Sequence, residues 1–187
     1  MISVDVETSG GSPSTGSLLS IGACLVEDPT QGLYLELQPL PGLPWSEEAE
    51  RVHGLTIDHL KGAGLEPADA MTQLEAWVQK MAGGRWPVFV GFNAPFDWMF
   101  VADYFWRYLG RNPFGVSALD LKSMYMGLSG TGRWADTRKV HISERLDINL
   151  EPTHNALDDA RDQARLAREL LQRSYGGSAM TVSTDPE

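Results

Sequence analysis

The stretch Ile2-Ser3-Val4-Asp5-Val6-Glu7-Thr8-Ser9-Gly10 decides how the rest of the chain is read. Ile2, Val4 and Val6 alternate with Ser3, Asp5 and Glu7, the period of two that a β-strand imposes on its side chains. Asp5 and Glu7 therefore project from one face, at the end where the chain breaks into Thr8-Ser9-Gly10. Acids at a strand end are often simply solvated. Here the flanking Ile2, Val4 and Val6 point to a strand inside a sheet, where two adjacent carboxylates repel unless a cation sits between them.

Working outward, the turn-rich 10–16 leads to Leu18-Leu19-Ser20-Ile21-Gly22-Ala23-Cys24-Leu25-Val26, a run that suits a buried strand. Residues 32–40 alternate Leu33, Leu35 and Leu37 with Tyr34, Glu36 and Gln38, a strand with one covered face, so the first three strands form an antiparallel meander. Pro39, Pro41 and Pro44 end it, and short helices are expected over 46–51 and 56–61, the second capped by Thr56. Ala70, Met71, Leu74, Trp77, Val78 and Met81 recur at helical spacing over 67–81 and stop at Gly83-Gly84. A short strand over 87–92, an aromatic-rich helix over 94–109, a strand over 116–121 and a helix over 122–128 follow. Thr153 or Asn155 can cap a last helix that runs through Arg173. Residues 127–151, rich in glycine and mixed charge, are expected to form a mobile loop and a short helix, and 176–187 a disordered polar tail. This order implies an α/β protein with a mixed five-stranded sheet, antiparallel at first and then parallel, and helices on both faces.

The chain has 187 residues, 42% of them hydrophobic, enough for one domain with a normal core. A net charge of -10 argues against gripping nucleic acid through a broad basic surface, which needs many lysines and arginines to displace counterions. Bound divalent cations would still reverse the field locally. The single Cys24 has no internal disulfide partner and reads as a small buried hydrophobe. With no leader-like start and no apolar run long enough to span a bilayer, a soluble cytoplasmic protein with no membrane association is expected.

Three more residues carry candidate chemistry. Asp97, in Gly91-Phe92-Asn93-Ala94-Pro95-Phe96-Asp97, stands where a strand gives way to a helix, the usual place for ligand sites in open sheets, although an acid in a first helical turn also suits the helix dipole. His154 and Asp159 occur in His154-Asn155-Ala156-Leu157-Asp158-Asp159-Ala160, with Asp158 and Asp162 as competing acids. Asp159 shares a helix face with Ala156 and Gln163, and Ala156 and Ala160 allow close approach to the sheet. Taken alone, a histidine before a helix is more often a cap or a surface residue.

Together, four acids and one histidine on three elements resemble the DEDDh 3'-5' exonucleases. The motifs correspond to 5–10, 93–97 and 154–160, and the five-residue step from His154 to Asp159 marks the histidine branch rather than the tyrosine one. The resemblance covers roughly 1–173. It includes Val52-His53-Gly54-Leu55-Thr56, which looks like the Val-His-Gly-Ile segment of bacterial proofreading exonucleases. It implies an RNase H-like exonuclease domain over 1–175 and two Mg²⁺ or Mn²⁺ ions held by Asp5, Glu7, Asp97 and Asp159. His154 would act as general base, since a pKa of about 6.5 suits that task near neutrality. The family also places Thr8, Ser9, Val52 and His53 beside the terminal nucleotide. The implied substrate is nucleic acid with a free 3' end, single-stranded, from which nucleoside monophosphates are released. DNA is favoured slightly over RNA, with a 3'-5' exoribonuclease, an oligoribonuclease-like enzyme or a non-catalytic binding protein of the same fold as alternatives. The family allows a homodimer, and a role in DNA repair by editing would need association with a separate polymerase. Phe92 departs from the family pattern, in which a histidine often precedes the motif's asparagine.

Residues 133–145 carry Arg133, Arg138, Lys139 and Arg145 against Asp136 and Glu144, a local excess of cations in an acidic chain. They can guide a phosphate backbone or simply form a solvated face. Trp134 there could stack on a base, whereas Trp98 and Trp106 are expected to serve the core.

Overall fold

The computed structural model describes residues 1–150 and 153–176. Its elements are β1 (Ile2–Thr8), β2 (Leu18–Leu25), β3 (Gly32–Glu36), α1 (Glu47–His53), α2 (Ile57–Ala63), α3 (Pro67–Ala82), β4 (Phe89–Gly91), α4 (Pro95–Leu109), β5 (Ala118–Asp120), α5 (Leu121–Ser129), a 3-10 turn (Trp134–Thr137), α6 (Lys139–Leu146) and α7 (Ala156–Gly176). The five strands make one sheet in the order β3-β2-β1-β4-β5. β1 pairs antiparallel with β2, and β2 with β3, while β1–β4 and β4–β5 are parallel. This is the RNase H-like arrangement that the sequence implied, and β1 lies at its centre.

The alternation in β1 sorts the two faces of the sheet. Ile2, Val4 and Val6 join Ile21, Ala23 and Leu35 in a core closed by Ala70, Met71, Leu74 and Val78 of α3 and Phe100, Val101, Tyr104 and Phe105 of α4. The opposite face carries Ser3, Asp5 and Glu7. A second core lies on that side: Cys24 and Val90 of the sheet packed by Leu121 and Tyr125 of α5, Ile142 of α6, and Ala160, Ala164, Ala167 and Leu170 of α7. One face of β1 thus drives folding by apolar burial, and the other delivers two carboxylates under α7.

The close approach of α7 has a specific cause. Gly22 is the cross-strand partner of Asp5. A Cβ on Gly22 would lie 2.1 Å from the backbone carbon of Ala156, so only glycine lets the first turn of α7 rest on the sheet here. Ala160, Ala164 and Ala167, all fully buried, continue the small-residue stripe along the helix.

Several boundaries differ from the sequence expectation. β3 ends at Glu36, and Leu37 instead makes a parallel bridge to Leu65, which draws the segment before α3 onto the sheet. β4 and β5 are only three residues long each, and β5 forms an edge of the sheet. The region expected to begin as a mobile loop at 127 is instead helix α5 through Ser129, followed by the 3-10 turn and α6. The Thr131 hydroxyl donates to Asp136 (2.5 Å), and the Ser143 hydroxyl accepts from the Leu150 N–H (3.1 Å). Trp98 packs edge-on against Phe89 (5.2 Å), as expected of a core residue, but Trp106 is 54% exposed. Buried Cys24 has its thiol pKa pushed up to about 12, chiefly by burial, as an inert structural cysteine should. The last helix runs through Gly176; the tail expected over 176–187 lies, from 177 on, outside the described residues. No helix among the described residues is long and apolar enough to cross a membrane.

Candidate active site

Asp5 and Glu7 reach the site from the centre and the end of β1, just before an irregularity in pairing between Glu7 and Thr8 that ends regular pairing with β2. Asp159 arrives from the first turn of α7. Carboxylate oxygens of Asp5, Glu7 and Asp159 lie within 4.8 Å of one another, the one group among the described residues with the spacing of a metal site.

Asp159 is held by the local backbone. His154 has a positive φ of 57°, in the left-handed region that few non-glycine residues enter. The N–H groups of Thr153 and His154 both donate to the Asp159 carboxylate, each at 3.0 Å and to different oxygens. Asn155 caps the helix, its Oδ1 accepting from the N–H of Leu157 (3.1 Å) and Asp158 (3.2 Å). Of the competing acids, Asp158 pairs with Arg161 at 2.9 Å, and Asp162 pairs with Arg165. Neither belongs to the cluster.

Asp97 sits in the first turn of α4, buried to 4% exposure. Its Oδ1 accepts the N–H of Val6 (3.1 Å), which anchors it beside the two β1 acids. The turn into α4 is made by Asn93 with φ of 64° and pinned by Asp120, whose Oδ1 accepts from the Ala94 N–H at 3.0 Å.

The electrostatics follow from burial and crowding. Burial raises the Asp5 pKa well above the ordinary carboxylate range, and the charges of Asp97 and Asp159 push it further. Glu7 is raised to about 7, first by burial and then by Asp159. Burial also raises Asp97, against the N–H bonds and the Lys139 charge that pull it back. Such a group of acids, all oxygen donors with no cysteine or histidine among them, suits a hard divalent cation such as Mg²⁺ or Mn²⁺.

Gln163, one turn after Asp159 on the same helix face, also belongs to this site. Its side-chain amide donates to Asp5 Oδ1 and accepts the N–H of Phe92 at 3.0 Å, so it ties β1 to the end of β4. It is 2% exposed. The signal for it was present in the helical spacing, which placed it on the Asp159 face.

The four residues expected beside a terminal nucleotide, Thr8, Ser9, Val52 and His53, divide into two groups. Glu7, Thr8, Val52, His53 and Phe96 line one cavity of about 290 Å³ beside the acids. His53 accepts the Leu55 N–H at Nδ1 (3.0 Å), which leaves a neutral ring with its proton on Nε2. That buried nitrogen has no partner among the described residues. Burial lowers the His53 pKa, against the charge of Glu50, which raises it. Ser9 is not brought to this cavity. Its hydroxyl accepts from the Ser17 N–H (2.8 Å), donates to the Pro44 carbonyl (3.4 Å), and lines a separate cavity with the 38–45 segment and Ile57 and Lys61 of α2.

Comparison with known proteins finds relatives over most of the chain. The RNase T family model, described as Exonuclease, matches residues 2–167. The chain is 45% identical over 168 residues to a protein of Escherichia coli named 3'-5' DNA exonuclease Cap18, covering 89% of each. Among solved structures, it superposes on the nuclease domain of 3'hExo, a DEDDh family member bound to rAMP, with a TM-score of 0.74, 14% identity and coverage of 100% of this chain and 96% of that one. It matches E. coli Exonuclease I in complex with a dT13 oligonucleotide with a TM-score of 0.73 and 16% identity, over 94% of this chain and 41% of that one. With a family model spanning most of its length and a relative 45% identical over 89% of each chain, the chain belongs to the RNase T exonuclease family.

Proposed function

We propose that the protein is a divalent-metal-dependent 3'-5' exonuclease that removes nucleoside monophosphates from single-stranded DNA. The observation that carries this reading is the convergence of Asp5, Glu7 and Asp159, with Asp97 anchored alongside, next to an open cavity. Asp5, Glu7, Asp97 and Asp159 would hold the cations, which in such sites neutralise the charge that develops on the attacking and leaving oxygens of an in-line displacement. His154, exposed at the mouth of the site and fixed through its backbone to Asp159, takes the proton of the attacking water. Thr8, Val52 and His53 receive the terminal nucleotide, and the unpartnered His53 Nε2–H is available to it as a donor. The preference for DNA rests on the relative named as a DNA exonuclease.

A 5'-labelled single strand incubated with Mg²⁺ should shorten stepwise, with mononucleotides released. Asp5→Asn should lower the rate by about 10³-fold or more, the scale seen when a group that stabilises transition-state charge is removed. Internal cuts on a strand with a blocked 3' end, or equal shortening by Asp5→Asn, would refute the reading. Matched DNA and RNA strands test the preference.

A further inference from the structure

Phe92, which ends the β4 segment beside the acids, carries two lysines on its ring: Lys139 Nζ at 5.5 Å and Lys122 Nζ at 5.9 Å from the ring centre. Lys122 Nζ also lies 4.4 Å over the ring of Trp134. The four side chains form a continuous row from the acid cluster outward to the 3-10 turn. Lys139 stands at its inner end, where its charge acts on Asp5, Glu7 and Asp97. Trp134 stands at its outer end, 51% exposed.

Its ring contacts set this row apart from a solvated charged face. Like Lys61 and Lys80, Lys122 and Lys139 make no salt bridge among the described residues, but these two are the lysines placed over aromatic rings. Each rests on an aromatic face, which attracts the cation and leaves part of the ammonium free to donate elsewhere. A large aromatic ring held half-exposed by a lysine on one face is also a poor use of apolar surface unless something stacks on it.

We propose that Lys139, Phe92, Lys122 and Trp134 form the binding track for the nucleotides 5' of the scissile bond. The lysines contact successive phosphates and Trp134 stacks on an unpaired base. The occupant is a single-stranded polynucleotide, because a paired base cannot offer its face to Trp134. The proposal rests on the exonuclease reading for the direction of the strand, but not for its binding chemistry. It also gives Phe92 a role: where a histidine would offer a polar ring, the phenyl ring provides a seat for both lysines.

The test compares two substrates, a ten-nucleotide DNA strand and the p-nitrophenyl ester of thymidine 5'-monophosphate, which is too small to reach the track. Trp134→Ala and Lys122→Ala should each lower kcat/KM for the strand about 10-fold more than for the ester. Trp134→Tyr and Lys122→Arg should recover most of the loss. The double variant Lys122→Ala/Lys139→Ala should reduce the slope of log affinity against log salt by about 1.4, two phosphates at about 0.7 each. Affinity is read by fluorescence anisotropy of a labelled strand on the Asp5→Asn background, so it does not depend on turnover. Equal losses on both substrates, or an unchanged salt slope, would overturn the track. Absence of hydrolysis of either substrate together with intact, variant-sensitive strand binding would overturn the exonuclease reading and leave the track standing.

Discussion

Gln163 shows how much a single side chain adds to the acid cluster. The Gln163 amide donates to one oxygen of Asp5 while its own carbonyl oxygen accepts the Phe92 N–H. Partners that orient metal-holding carboxylates typically contribute 10- to 100-fold to metal affinity. Gln163→Ala should therefore weaken Mn²⁺ binding by about that factor, as measured by calorimetric titration, and an unchanged affinity would show that Asp5 orients itself. Asp159 needs no such helper, because the left-handed turn at His154 turns two backbone N–H groups onto it. The acids themselves were recognisable from the amino-acid sequence only as a set: Asp97 and His154 judged singly fit blander roles. The capture of the Ser9 hydroxyl by Ser17 and Pro44 was not recognisable, because it depends on how the turn after β1 folds back and on Pro44, 35 residues further on.

At the scale of elements, the decisive contact is between β2 and the start of α7. The helix reaches the sheet only because Gly22 lacks a Cβ, and this sets the height at which Asp159 meets Asp5 and Glu7. Gly22→Ala should lift or tilt α7, lowering stability by about 1–3 kcal/mol as overpacking does and reducing activity more than that loss explains. Gly127→Ala, where an added Cβ meets nothing within 4 Å, is the control: it should leave activity near wild type and, as a glycine inside α5, should if anything raise stability by about 1 kcal/mol. Chemical denaturation and strand-shortening assays on both variants decide the point. The strands with strong alternation or long apolar runs, β1 and β2, were legible in the sequence. β4 and β5 were visible only as apolar stretches, because three-residue parallel strands take their limits from their neighbours, and β3 stops early because Leu65 claims Leu37. Trp106 fell on the exposed side of α4 despite its eight-residue spacing from Trp98, since that spacing drifts off the buried face.

Across the whole molecule, the acid site couples stability to pH. Asp5, Glu7 and Asp97 hold their protons more tightly in the folded chain than ordinary carboxylates do, Glu7 up to about 7. In the unfolded chain such groups ionise near pH 4. Between these values the native state binds more protons, so stability falls as pH rises through the window. With EDTA present, Tm should drop by about 3 °C or more from pH 5 to pH 8, and Mg²⁺ at pH 8 should restore it. A Tm that rises over that range, or that ignores Mg²⁺, would contradict the assignment. The placement of the acids also bears on synthesis. Asp5 and Glu7 lie on the first strand, but Asp159 and Gln163 come only with the last helix, which docks over Gly22. A nascent chain that has already formed its β-meander still lacks a carboxylate of the cluster and the amide that orients Asp5. On the proposed function, hydrolytic competence would appear only once α7 has emerged from the ribosome and docked.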